Sequence, residues 1–203
     1  LPPLPWDPPD AGVQSQRKDQ FAKLHMWNST SFSRILFLGG DAFPLAPIDA
    51  MFSLKKMRNC IKTKMQPDDF LPGGEAVCEP YIFAGVPADP YSIFDADIDV
   101  ASMVFTPSAK QHQRLLQNYR RFDKYDVKMV ERAFLNWQFG INSAYPPGML
   151  EREYGASLPD EKGEKGIKVV RKKIWAAQRG YWKDEWENTW KEMLQFYGSG
   201  EFK

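Results

Sequence analysis

The side chains best suited to chemistry lie in two short stretches, Gly39-Gly40-Asp41 and Asp95-Ala96-Asp97-Ile98-Asp99. Carboxylates at alternate positions just beyond a strand can grip magnesium or manganese, because these hard cations take oxygen ligands and can share them with a diphosphate. On residue type alone the second stretch is the better metal site, although acidic turns this short also arise by chance. Other chemistries are thinly supplied. Cys60 and Cys78 alone cannot form a four-ligand zinc site or a disulfide framework, and with only His25 and His112 beside them a zinc constellation is disfavoured. The cysteines read as structural, and one optional bridge between them suits either redox compartment. No nucleophile elbow, Walker A loop or Gly-x-Gly-x-x-Gly opening a helix occurs in the sequence.

Positioning such groups needs a folded core, and the 203-residue chain is long enough for one domain. Its 43% hydrophobic and 14% aromatic content excludes a disordered chain. The 27 basic and 26 acidic residues leave a formal charge of +1, so no basic surplus points to nucleic acid or anionic lipid. No apolar stretch approaches the ~20 residues that span a bilayer. Residues 1–14, opening Leu1-Pro2-Pro3-Leu4-Pro5-Trp6-Asp7-Pro8-Pro9, read as a proline-rich extended segment, and residues 15–203 as a single domain.

Within that domain, residues 15–27 set Phe21, Leu24 and Trp27 near helical spacing, with Asp19 and Lys23 as an i,i+4 charge pair. Arg34-Ile35-Leu36-Phe37-Leu38 is a continuous apolar run stopped by Gly39-Gly40-Asp41, which predicts a buried central strand opening into a loop. Ligands bind at that end of α/β sheets. A short helix is expected from Pro47, a loose strand over residues 76–84 and a better one over 99–106. Ser108 caps a helix to about Arg121, and residues 126–139 form another, with Val130, Phe134 and Trp137 on one face. Residues 167–170 read as a short strand. A last helix over about 183–197 lines up Trp182, Trp186, Trp190, Leu194 and Tyr197. That stripe could be a carbohydrate or lipid platform, but packing onto the sheet is the favoured reading. Alternating strands and helices predict an α/β architecture.

A family resemblance sharpens this picture. Phe21-Ala22-Lys23-Leu24-His25-Met26-Trp27-Asn28, then Arg34-Ile35-Leu36-Phe37-Leu38-Gly39-Gly40-Asp41 and Pro47-Ile48-Asp49-Ala50-Met51-Phe52, resemble the glycogenin-like family 8 glycosyltransferases. The pattern there runs roughly K-L-x-x-W-N-L-T-x-Y-x-R-V-x-Y-L-D-A-D-T-L-V-L-x-P-I-D-x-L-F. Asp99-Val100-Ala101-Ser102-Met103-Val104-Phe105 is similar to the family's F-N-S-G-V-M-V-L strand, and Glu131-Arg132-Ala133-Phe134-Leu135-Asn136 to its D-Q-x-x-L-N helix. The resemblance implies a GT-A fold with a Rossmann-like sheet flanked by helices, a UDP-sugar donor, a carbohydrate or glycoconjugate acceptor, and retention at the transferred sugar. It also implies that the family's first strands would precede Leu1.

The carry-over of site residues is uneven. The family holds manganese with its D-x-D pair and a later histidine. Here the first carboxylate falls on Gly39, leaving Gly40 and Asp41, and the histidine falls on Arg171 of Lys168-Val169-Val170-Arg171. Asp41 is then the one remaining metal ligand, and a single carboxylate binds a divalent ion weakly. Arg171, with Lys172 or Lys173, can instead neutralise a diphosphate by charge-assisted hydrogen bonds. Asp99 and Glu131 fall at the sugars, with Arg132 following Glu131 as a polar sugar contact or a surface pair, while the Asp95-Ala96-Asp97 triplet falls outside the family's metal position and reads as a solvated loop. Two readings remain: a glycosyltransferase with a degenerate or metal-independent donor site, and a non-catalytic carbohydrate-binding or scaffold protein. Cytoplasm and secretory lumen both suit the sequence.

Overall fold

Ile35–Leu38 (β1) pairs antiparallel with Ile98–Phe105 (β4), and every residue of β1 is half-buried. A computed structural model of the chain describes residues 2–5, 8, 15–53, 57–89, 97–157, 165–171, 173–176 and 179–200. Its main sheet has the order β1-β4-β3-β5, where β3 is Phe83–Pro87 and β5 is Gly148–Met149. A second sheet pairs Ala42–Pro44 (β2) with Val169–Arg171 (β6), antiparallel. The architecture is therefore mixed α/β. Among the described strands, three pairings are antiparallel and that of β3 with β5 is parallel, so the sheet is mixed.

The apolar run of β1 predicts a central strand, yet among the described residues β1 lies at the sheet edge. Its continuous hydrophobicity has another cause. Ile35 and Phe37 pack on the main core while Leu36 faces a second cluster containing Met51, Val104 and Tyr154, so both faces are covered. β4 shows the same two-sidedness with a twist. Ile98 and Val100 share a core with Met103 and Phe105, although period two alone would put these pairs on opposite faces. The pairing of β3 with β4 shifts register between Gly85 and Val86, and that irregularity restores the facing. Gly85 permits it, since a Cβ there would meet Ile98 Cδ1 at 3.0 Å and the Asp99 carbonyl at 3.1 Å.

Phe21, Leu24 and Trp27 recur every three residues, which is the period of the 3-10 helix that forms over Ser15–Asn28. All three are essentially solvent-free, and Trp27 stacks on Phe105 with ring centroids 3.9 Å apart. Ala109–Asn118 (α1) begins where expected, with Ser108 accepting a hydrogen bond from the Gln111 amide at 3.2 Å. Val130–Gln138 (α2) follows a 3-10 turn, Val127–Met129. Cys60 and Cys78 are disulfide-bonded, with Cα atoms 5.3 Å apart.

Tyr181–Gly198 (α3) departs from the packing reading. Trp182 is buried with Val170 and Ile174, and Trp186 packs beside them, but Trp190, Leu194 and Tyr197 are exposed. The helix leaves its supporting sheet after its first turns because the small β2–β6 layer is too short to cover it. Near the N-terminus, Leu4 packs against the main core and the Pro5 carbonyl accepts hydrogen bonds from the Tyr119 hydroxyl and the Arg120 guanidinium. Trp6, Asp7, Asp95, Ala96 and Lys172 lie outside the described residues.

Candidate functional site

The register of β1 against β4 sums residue numbers to a constant, so extending it past Leu38 brings Gly39 opposite Ala101 and Asp41 beside Asp99. The Gly39 amide indeed donates to the Ala101 carbonyl at 2.8 Å. The second sheet then pairs Ala42 with Arg171, which sets the arginine beside Asp41. Two independent strand registers thus bring the glycine turn, Asp99 and Arg171 together. They line a cleft of about 680 Å³, closed by the start of α2 and by Lys23 of the Ser15–Asn28 helix.

Of the positions singled out in sequence, Gly39, Gly40, Asp41, Asp99, Glu131 and Arg171 all line this cleft. Lys173 does not; it is exposed, two residues past the end of the paired segment of β6. Asp97 faces a different cleft.

Arg171 sits between two carboxylates. Its Nη2 lies 3.4 Å from Asp41 Oδ2 and its Nη1 contacts Asp99 Oδ2. Burial draws its pKa below the ordinary arginine value, and the Asp41 charge partly offsets this. Nε is buried without a hydrogen-bond partner. Asp99 also accepts from the Ala101 amide at 3.1 Å, which fixes its carboxylate.

Glu131 pairs with Lys23 at 2.7 Å, and both side chains are about nine-tenths buried. The local spacing pairs Lys23 with Asp19 instead, and leaves Glu131 open between a sugar contact and a surface pair with Arg132. Lys23 also lies 4.7 Å over the Phe37 ring, so the ion pair is held between β1 and α2. Val130, at the joint before Glu131, has a φ of 50°, a conformation costly for a β-branched residue, of order 1–3 kcal/mol. Glu131, the next residue, lines the cleft.

Asn136 is a positioning residue that sequence reasoning missed. Its Oδ1 accepts from the Ile98 amide at 2.8 Å and its Nδ2 donates to the Ile98 carbonyl at 2.9 Å, clamping α2 to the first residue of β4. Its place as the last residue of the stretch compared with the D-Q-x-x-L-N pattern was the available signal.

The residues do not suit a manganese ion. A guanidinium already stands between the two available carboxylates, and among the described residues no group of three or more His, Cys, Asp or Glu side chains converges. Gly39 adds to this, since a Cβ there would lie 3.1 Å from both Ala101 Cβ and Asp41 Oδ1, crowding a carboxylate at that position. What the arrangement offers is a built-in cation with a spare N–H donor, facing two fixed acceptors and a buried Lys–Glu pair.

No family model matches the chain, and no curated protein matches it significantly. Among the described residues, no helix is long and apolar enough to cross a membrane.

Proposed function

We propose that the chain is a GT-A type glycosyltransferase domain that moves a hexosyl group from a UDP-sugar to a carbohydrate or glycoconjugate acceptor, with Arg171 in place of a metal at the donor diphosphate. The observation carrying this reading is that six positions aligned with the glycosyltransferase pattern, of which Asp41 keeps the family residue, come from four separate stretches of chain and meet around one cleft. Arg171 offsets the charge that gathers on the departing diphosphate, while Asp41 and Asp99 keep the guanidinium plane in place. Asp99 and Glu131 flank the sugar as hydrogen-bond acceptors. The Cys60–Cys78 bridge favours an oxidising compartment as the place of action.

The test is calorimetric titration of UDP into the chain, with and without manganese, alongside Arg171→Ala. The expected result is binding insensitive to manganese and weakened at least tenfold, about 1.4 kcal/mol, by the substitution. Binding that requires manganese overturns the metal-independent site.

One observation favours a second reading, a non-catalytic carbohydrate-binding or scaffold protein. Asp41 and Asp99 already engage Arg171, and the wall carries four acidic and three basic side chains, a balance that opposes a polyanion. No UDP binding under either condition, and no UDP release from any UDP-sugar, would select it.

A further inference from the structure

A second cleft, of about 690 Å³, opens beside the 3-10 turn Pro67–Asp69 and the C-terminal half of α2. Small-molecule sites commonly enclose about 300–1,000 Å³, so the space is adequate for an organic ligand. Its charges cancel: Asp68, Asp69 and Asp97 stand against Arg114, Arg121 and Lys124. A balanced wall gives no net attraction to a nucleotide, a phosphate or another multivalent ion.

The cleft nevertheless holds unspent hydrogen-bond donors. Arg114 is 1% exposed, donates from Nη1 to Asp69 at 2.8 Å and from Nε to Gln111 at 2.9 Å, and stacks 4.0 Å over the Tyr145 ring. Its Nη2 is buried without a partner. Such a donor costs stability unless an acceptor reaches it. Gln138 spends its carbonyl on the Asn118 amide at 3.3 Å, which leaves its own N–H groups for the cleft. Trp137 stacks on Tyr125, the planes inclined by 16°, meets Phe134 edge-on, and is partly exposed where it lines the cleft.

An uncharged ligand with many hydroxyl acceptors and apolar C–H faces complements this wall: hydroxyls take the Arg114 and Gln138 donors, and a ring face packs on the indole. We propose that this cleft binds a neutral oligosaccharide, at a site separate from the one that includes Arg171. The two clefts share α2, with Glu131 in the first and Gln138 in the second, about 10 Å apart along the helix. This assignment goes beyond the transferase reading and stands whether or not UDP binds.

The experiment applies the full chain to an array of neutral, sialylated and phosphorylated glycans, then titrates the strongest neutral glycan into 15N-labelled protein. Selective binding of neutral glycans is expected, with shifts at the Trp137 indole and the Gln138 amide. Gln138→Leu and Asn142→Ala should each weaken it at least tenfold, with circular dichroism unchanged. Asn142, an exposed rim residue, guards against misfolding of the more buried Gln138 variant. Silence across the neutral glycans, preference for acidic ones, or unaltered affinity in Asn142→Ala overturns the proposal. UDP titration of Asn142→Ala should match that of the unaltered chain, so failure of one site is distinguishable from failure of the other.

Discussion

Arg171 sets the electrostatics of the first cleft. It is the shared partner of Asp41 and Asp99, so removing it leaves two neighbouring carboxylates without their counter-charge. Beyond the loss of UDP binding, Arg171→Ala should therefore cost about 1–3 kcal/mol of stability, measurable by urea denaturation. Arg171→Lys should recover part of that stability but less of the binding, because an ammonium cannot hold two carboxylates and a phosphate in one plane. At this scale the sequence singled out Gly39, Asp41, Asp99 and Glu131, which the structure brings to one cleft. It was silent on Lys23, whose partner Glu131 lies 108 positions away. A local i,i+4 rule pairs Lys23 with Asp19, but a long-range partner at 2.7 Å in a buried setting outcompetes an exposed one, because water screens the latter.

Elements hold the clefts in register, and their stability can be tested one by one. Ser108 caps α1 and also donates to Glu79 at 2.6 Å, tying the helix to the segment after Cys78. Ser108→Ala should cost about 1 kcal/mol by urea melting. The Cys60–Cys78 bridge closes a loop with a sequence separation of 18 residues, which contains the Pro67–Asp69 turn lining the second cleft. Replacing both cysteines by serine should cost about 3 kcal/mol, and reductant should lower the melting temperature of the unaltered chain but not of the double variant. Capping chemistry made the start of α1 legible, since Ser108 has one local role. The apolar run of β1 reports that both faces are covered, and cannot report whether both edges are paired.

At the scale of the whole molecule, the Ser15–Asn28 helix and α1 meet at a pair of histidines, His25 and His112, with ring centroids 5.7 Å apart and both Nε2 atoms buried without partners. Burial, and secondarily the neighbouring His25, hold the His112 pKa below the ordinary 6.5. The unfolded chain then binds the proton first, so stability is fully present above about 6.5 and falls as the pH drops from there through the folded value. Melting temperatures between pH 7.5 and 5 should decline, and His112→Gln should flatten that decline; an unchanged slope would remove His112 as its cause. Composition, periodicity and capping by themselves determined that the chain folds as α/β and where α1 begins, because those properties reside in propensity and local spacing. Only the tertiary structure decided the edge position of β1, the exposure of Trp190 and Tyr197, the closure of Arg171 onto two carboxylates and the existence of the second cleft. Each of these depends on strand register or on contacts between distant segments, and no local pattern encodes which distant surface a residue will meet.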